Sequence, residues 1–172
     1  MESRLETGQL APDFQLQDLQ GQIHTLTQYR GWIVLLNFWS AECPWSERVD
    51  RLLRQQLEHW EPEVVLLTIA VNLNEPLDLL EHIAATRDLE PVLRDPDQAA
   101  ADLYGAQTTP HFFILDRQGI LCYQGAYDDV TFRQRAATRS YVVEAVEALV
   151  KGELPAIGQA PAYGCTIIRL MT

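Results

Sequence analysis

Apolar positions along the chain fall into two patterns. Ile33-Val34-Leu35-Leu36, continuing through Asn37-Phe38-Trp39, and Val64 to Val71 are nearly unbroken runs. Runs of that length and composition suit strands covered on both faces. A third run, His111 to Asp116, follows Thr108-Thr109-Pro110, and the turn Arg117-Gln118-Gly119 returns it to Ile120–Gln124 as a hairpin. Elsewhere the spacing is helical. Trp45, Val49, Leu52, Leu53, Leu57 and Trp60 predict a helix from Pro44 to about Trp60, which Glu61-Pro62-Glu63 ends. Leu77 to Arg87 predicts a second helix. A short one starts at Asp95-Pro96-Asp97 and ends near Tyr104-Gly105, and Ala136 to Val150 predicts the last, with Gly152 just past its end.

Short alternating segments at Ala11–Leu16 and Ile23–Leu26 flank Gly21 and read as a small hairpin. Val92 to Asp95 reads as a short strand, Gly125 to Arg135 as a polar connection, and residues 153–172 as an irregular tail with Pro155, Gly158, Pro161 and Gly164. Strands that alternate with helices, then a hairpin and a terminal helix, predict one α/β domain over residues 1–172. Its central mixed sheet is flanked by helices.

A chain of 172 residues is long enough to bury one sizeable core. The net charge of −11 disfavours nucleic acid and anionic membrane surfaces as partners. No apolar stretch has the length of a membrane span, and MESRLETGQLAPDF has no hydrophobic signal region, so the expected location is cytoplasmic. Three cysteines, Cys43, Cys122 and Cys165, are too few and too far apart for a disulfide framework. No Cys/His cluster has metal-ligand spacing, and Met1 and Met171 are terminal, so no metal or cofactor is expected.

The chemistry concentrates at Cys43. It stands where a buried strand hands over to a helix, with Pro44 suited to the first helical position. Unpaired helix N–H groups and the positive end of the helix dipole favour thiolate over thiol there. The alternative is a buried, inert thiol. Ser46 is either an exposed first-turn residue or a hydroxyl donor to the Cys43 thiolate. Trp45 offers an apolar contact surface beside it, Trp39 packs nearby, and Glu42 opposes ionisation if close. Cys122 reads as a core thiol. Cys165 is either a buried tail cysteine or a remote second thiol that attacks oxidised Cys43, since loop-closure entropy grows only logarithmically with length. His111 is placed to line the site, whereas His24, His59 and His82 read as surface residues, and Asp128-Asp129 reads as a turn and helix-start device.

Four stretches carry a family resemblance: Gly8-Gln9-Leu10-Ala11-Pro12-Asp13-Phe14 with Asp18-Leu19-Gln20-Gly21; Leu36-Asn37-Phe38-Trp39 with Cys43; Thr108-Thr109-Pro110 with Phe112–Asp116 and Gly119; and Tyr123–Asp129 with Gly164-Cys165. Together the chain resembles the thioredoxin-like superfamily, in particular its redoxin branch of alkyl hydroperoxide reductase/thiol-specific antioxidant relatives. The resemblance implies a thioredoxin-like fold with an N-terminal β-hairpin. It also implies a cis peptide at Pro110 that sets the Thr109 backbone beside Cys43, where a thiol substrate pairs; an ordinary trans proline is the alternative. The implied activity is thiol oxidoreduction on a disulfide or a peroxide, with thiol or disulfide proteins as partners and an external thiol as reductant. Three positions depart from that pattern. Ser46 replaces the second cysteine of dithiol members. Ser40 keeps the peroxidatic hydroxyl position, but Leu36 replaces its proline. Asn37 replaces a buried aspartate. A non-catalytic binding module that captures a partner at Cys43 is the alternative function.

Overall fold

The computed structural model describes residues 4–169. Strands β1 (Gln15–Asp18) and β2 (Ile23–Thr25) form the N-terminal hairpin, with Gly21 supplying the left-handed turn at φ 83°. β3 (Ile33–Trp39) leads to helix α1 (Pro44–Trp60), then β4 (Val64–Ala70) and α2 (Leu77–Arg87). β5 (Val92–Arg94), α3 (Ala99–Tyr104) and the two-residue β6 (Thr108–Thr109) follow. β7 (His111–Leu115) and β8 (Leu121–Gly125) form the second hairpin, and α4 (Tyr141–Val150) and β9 (Cys165–Thr166) complete the chain.

Seven strands make a mixed sheet in the order β2-β1-β5-β4-β3-β7-β8. β3 lies deep within it, parallel to β4 and antiparallel to β7, and every one of its residues is buried. That is why its apolar run shows no alternation. Ile33 and Leu35 pack with Val49 and Leu53 of α1 and Val142 and Val146 of α4. Val34, Leu36 and Phe38 pack on the other face with Tyr104 of α3 and Phe14 of the lead-in. Trp39 and Ala70, at the ends of β3 and β4, pack with Leu80 and Ala84 of α2.

Two expectations are corrected. The last helix begins at Tyr141 rather than Ala136. The Asp129 carboxylate accepts the Thr138 and Arg139 N–H groups and the Thr138 hydroxyl, and so holds that stretch out of helix. Ser140 then caps α4 by accepting the Val143 N–H at 3.3 Å, a contact worth about 1 kcal/mol. The first half of the polar connection after β8 belongs to the core, and exposure begins at residue 132. Ala126, Tyr127, Asp128 and Val130 are buried, with Tyr127 against Phe112 at 5.7 Å between ring centroids.

The tail is irregular but firmly seated. At one end Gln124 N–H donates to Gly158 O and Ala160 N–H to Gln124 O, both at 3.1 Å. A Cβ on Gly125 would overlap the Ala160 carbonyl, so this close approach requires glycine. At the other end Ile167 is buried and its N–H donates to Gln107 O at 3.3 Å. Ile168 N–H donates to Asn72 Oδ1 at 2.9 Å, and Gln98 Nε2 donates to Ile168 O at 2.7 Å.

Candidate active site

Cys43 is the N-cap of α1, extended at φ −82° and ψ 119°, with Pro44 opening the helix. Its carbonyl accepts the Glu47 N–H at 3.0 Å, which closes the first turn. The side chain is 3% exposed, and its thiol donates to the Thr109 carbonyl at 3.0 Å. The Ser46 N–H, an unpaired first-turn donor, is directed at the sulfur.

Ser46 is buried, not an exposed first-turn residue. Its hydroxyl oxygen accepts the Ser40 N–H at 3.4 Å and ties the loop before Cys43 to the helix start. The hydrogen bond to sulfur that was expected from the hydroxyl comes from the Ser46 backbone instead. The loop has a second anchor. The buried Glu75 carboxylate accepts the Ser40 hydroxyl at 2.7 Å and the Ala41 and Glu42 N–H groups at 3.1 and 3.0 Å. Hydrogen bonds to a charged acceptor in a buried setting are among the stronger ones, about 1.5–3 kcal/mol each.

The peptide bond between Thr109 and Pro110 is cis, as the resemblance implied. Thr108–Thr109 pairs antiparallel with Cys165–Thr166, and the register sets Cys165 opposite Thr109. The tail thus brings Cys165 within hydrogen-bonding reach of Cys43. Gly164 makes this possible, because a Cβ there would overlap the Thr109 carbonyl oxygen. The two thiols are polarised in opposite directions. Burial resists ionisation of Cys43, but hydrogen bonds from the Cys165 thiol, the Thr109 hydroxyl and the Ser46 and Cys165 N–H groups outweigh it and hold its pKa below the ordinary thiol value. Thr109 Oγ1 is buried and without a partner while Cys43 is a thiol, so its proton is free for the thiolate. Cys165 is pushed up to about 11 by burial first, then by its hydrogen bond to Cys43 and the charge there. Cys43 is therefore the more readily ionised thiol of the pair.

Residues 7–124 match the AhpC/TSA family. The chain belongs to that family. It is 35% identical over 113 residues to the thiol-disulfide oxidoreductase ResA of Geobacillus thermodenitrificans (strain NG80-2), covering 65% of this chain and 64% of that protein. It is 31% identical over 119 residues to the thioredoxin-like protein YneN of Bacillus subtilis (strain 168), covering 68% and 69%. The chain thus spans about 64% of the length of the first of these relatives. Among solved structures it is similar to hypothetical protein SMc02350 from Sinorhizobium meliloti 1021, at TM-score 0.89 and 27% identity over 99% of this chain and 98% of that one. A putative thiol:disulfide interchange protein DsbE from Chlorobium tepidum, at TM-score 0.67 and 24% identity over 86% and 97%, shows the same thioredoxin-like fold.

Against that AhpC/TSA background, the remaining site residues sort by contact. Trp45 is partly buried and meets Tyr163 of the tail edge-on at 4.9 Å between centroids. Asp128 does more than make a turn: it takes both Arg48 guanidinium nitrogens, at 3.2 and 2.6 Å, and so joins α1 to the segment after β8. Trp39 Nε1 donates to Asp50 Oδ2 at 2.8 Å; Arg87 donates to the same oxygen at 3.0 Å and to the Ala41 carbonyl at 3.0 Å. Asn37 is fully buried, and neither of its side-chain polar atoms has a partner. Glu42, ahead of Cys43, is exposed.

His111 does not serve the sulfur. Its ring accepts the Gln107 N–H at 3.1 Å, stacks on Phe113 at 4.6 Å, and is held down to about 4 by burial, hence neutral. His24 is not a free surface residue either; it bridges Tyr29 Oη at 2.6 Å and Asp18 at 2.8 Å. Cys122 is a core thiol as expected, raised to about 11 by burial. No group of three His, Cys, Asp or Glu side chains suited to a metal occurs among the described residues, and Met1 and Met171 lie outside them. No helix among them is long and apolar enough to cross a membrane.

Sequence reasoning missed Glu75. One signal was available: Cys43 and Glu75 both follow the C-terminal ends of adjacent parallel strands, where loops from different strands converge.

Proposed function

We propose that this protein catalyses thiol–disulfide exchange through Cys43 and Cys165. One observation carries this reading: the register that sets Cys165 opposite Thr109, the residue whose carbonyl accepts the Cys43 thiol at 3.0 Å. The Cys43 thiolate attacks a partner disulfide, forms a mixed disulfide and expels one partner thiolate. Cys165, after losing its proton, attacks Cys43 Sγ. A Cys43–Cys165 disulfide forms and the second partner thiolate leaves. Two protein thiols are oxidised and one partner disulfide is reduced; an external thiol returns the pair to the reduced state, and each step runs in reverse. Disulfide-bearing proteins are the partner class that the names of the ResA relatives support.

Peroxide is the weaker substrate class, because the Ser40 hydroxyl at the peroxidatic position is committed to Glu75. A purely trapping module is also the weaker alternative, because a neighbouring thiol releases what Cys43 captures.

The test oxidises the reduced full-length chain with one equivalent of an aromatic disulfide and maps the product by mass spectrometry. A Cys43–Cys165 disulfide is expected, a mixed disulfide stalled on Cys43 in Cys165→Ser, and no product in Cys43→Ser. Turnover unchanged in Cys43→Ser would end the proposal. Hydrogen peroxide oxidising Cys43 faster than the disulfide does would reverse the substrate preference.

A further inference from the structure

Tail residues 161–166 cross the site between two anchors, Gly158–Ala160 on β8 and Ile167–Ile168 against Gln107, Asn72 and Gln98. Along this strap, Tyr163 meets Trp45, Gly164 lies against the Thr109 carbonyl, and Cys165 pairs with Thr109 and reaches Cys43. An aromatic surface, a strand edge and the reactive sulfur are thus all occupied by the chain itself. Cys43 is consequently only 3% exposed. A polypeptide disulfide cannot approach the sulfur along this edge while the strap is seated.

We infer that Tyr163–Thr166 is a built-in stand-in for the partner, a strap that lifts to admit an extended cysteine-bearing polypeptide and whose own sequence reports the partner it fits. The inference rests on the exchange chemistry proposed for Cys43. The matching partner segment has glycine immediately before its cysteine, because any Cβ there overlaps Thr109 O, and an aromatic residue two positions before, to meet Trp45. Main-chain pairing at Thr109 supplies affinity, and the flanking side chains supply selectivity. Because strap and partner compete for one edge, the return of Cys165 displaces the partner as it resolves the mixed disulfide. The strap is suited to such movement. Its middle makes a two-residue pairing, one ring contact and one hydrogen bond, from the exposed Phe132 N–H to Tyr163 Oη at 2.8 Å, while its ends are tied.

The test compares full-length Cys165→Ser, which keeps the strap, with the double variant Cys165→Ser/Gly164→Ala, whose new Cβ expels it. Tyr163→Ala in the Cys165→Ser background removes the Trp45 contact and the Phe132 N–H hydrogen bond without adding bulk, and serves if the glycine variant does not fold. The rate of mixed-disulfide formation at Cys43 is read by mass spectrometry. The probes are hydroxyethyl disulfide and disulfide-linked peptides containing Tyr-Gly-Cys or Tyr-Ala-Cys. Loosening the strap is expected to accelerate peptide attack about tenfold, as for a site open about a tenth of the time, while hydroxyethyl disulfide changes far less. Tyr-Gly-Cys is expected to react faster than Tyr-Ala-Cys. Peptide rates that do not change when the strap is loosened, or no preference between the peptides, would overturn the strap inference alone. No mixed disulfide with hydroxyethyl disulfide in any variant would overturn the exchange chemistry as well.

Discussion

The two sides of the site are built from different materials. Cys43 stands at the junction of a fully buried strand and a seventeen-residue helix, in a loop clamped by Glu75 and Ser46. Cys165 stands on a strap whose regular structure is two residues long and whose course is set by where glycine permits close approach. The pKa of Cys43 is lowered from both sides, by the Cys165 thiol and N–H of the strap and by the Thr109 and Ser46 donors of the rigid side. The strap side raises its own and brings it into reach. In the exchange we propose, a nucleophile held on regular elements stays poised while a second thiol on a displaceable segment departs and returns.

Removing the strap thiol should break this division most severely. Cys165→Ala takes away a hydrogen-bond donor and the resolving sulfur, so turnover falls to the rate at which external thiol releases the mixed disulfide. Cys43 alkylation then needs higher pH. Cys165→Ser keeps a hydroxyl donor and is expected to shift the alkylation profile less, although turnover is lost equally. Identical profiles in both variants and the wild type would mean that Cys165 does not polarise Cys43.

Glu75→Gln probes the rigid side. The amide keeps one acceptor oxygen and turns an NH2 toward donors, so a loss of about 1–3 kcal/mol in unfolding free energy is expected in denaturant titration. The Cys43 alkylation profile should also move to higher pH as the loop relaxes. A stability loss with an unmoved profile would make Glu75 structural only.

The smallest effect concerns Asp50, which joins Trp39 to Arg87 behind the Cys43 loop. Burial, opposed by the Trp39 and Arg87 hydrogen bonds, leaves its carboxyl at about 6, against an ordinary 3.8. The folded state therefore prefers the protonated acid. That contribution is complete below about pH 4 and is lost as pH rises through about 6. His111, held down to about 4, works in the opposite direction over the same window, so only a difference measurement isolates Asp50. The gap in unfolding free energy between wild type and Asp50→Asn should change by on the order of 2 kcal/mol between pH 4 and 7. A constant gap would place the titration elsewhere.

Much of the fold was legible because its signals are local. The runs at Ile33 and Val64, the periodicity from Trp45 to Trp60, and the bounds of α2 follow from neighbours within a few turns. The start of α4 was misread because Asp129, distant in sequence, captures the donors of Thr138 and Arg139. The segment after β8 read as a polar connection, and Arg48 across the fold, with the Val130 N–H, makes the burial of Asp128 tolerable. Cys43 was legible from its junction, whereas Glu75 was hidden in a loop that resembles any other polar loop.

The sequence by itself determined which thiol stands at a strand–helix junction. A buried strand, a helix start with Pro44 and a cysteine between them leave few alternatives, because helix N-termini carry unpaired donors wherever they occur. It also excluded a local dithiol, since Ser46 occupies that position. Only the tertiary structure decided that Cys165 lies opposite Thr109, beside Cys43. Proximity between distant residues depends on how closely two backbones approach, and at Gly164 and Thr109 that approach is set by an absent Cβ and a two-residue register.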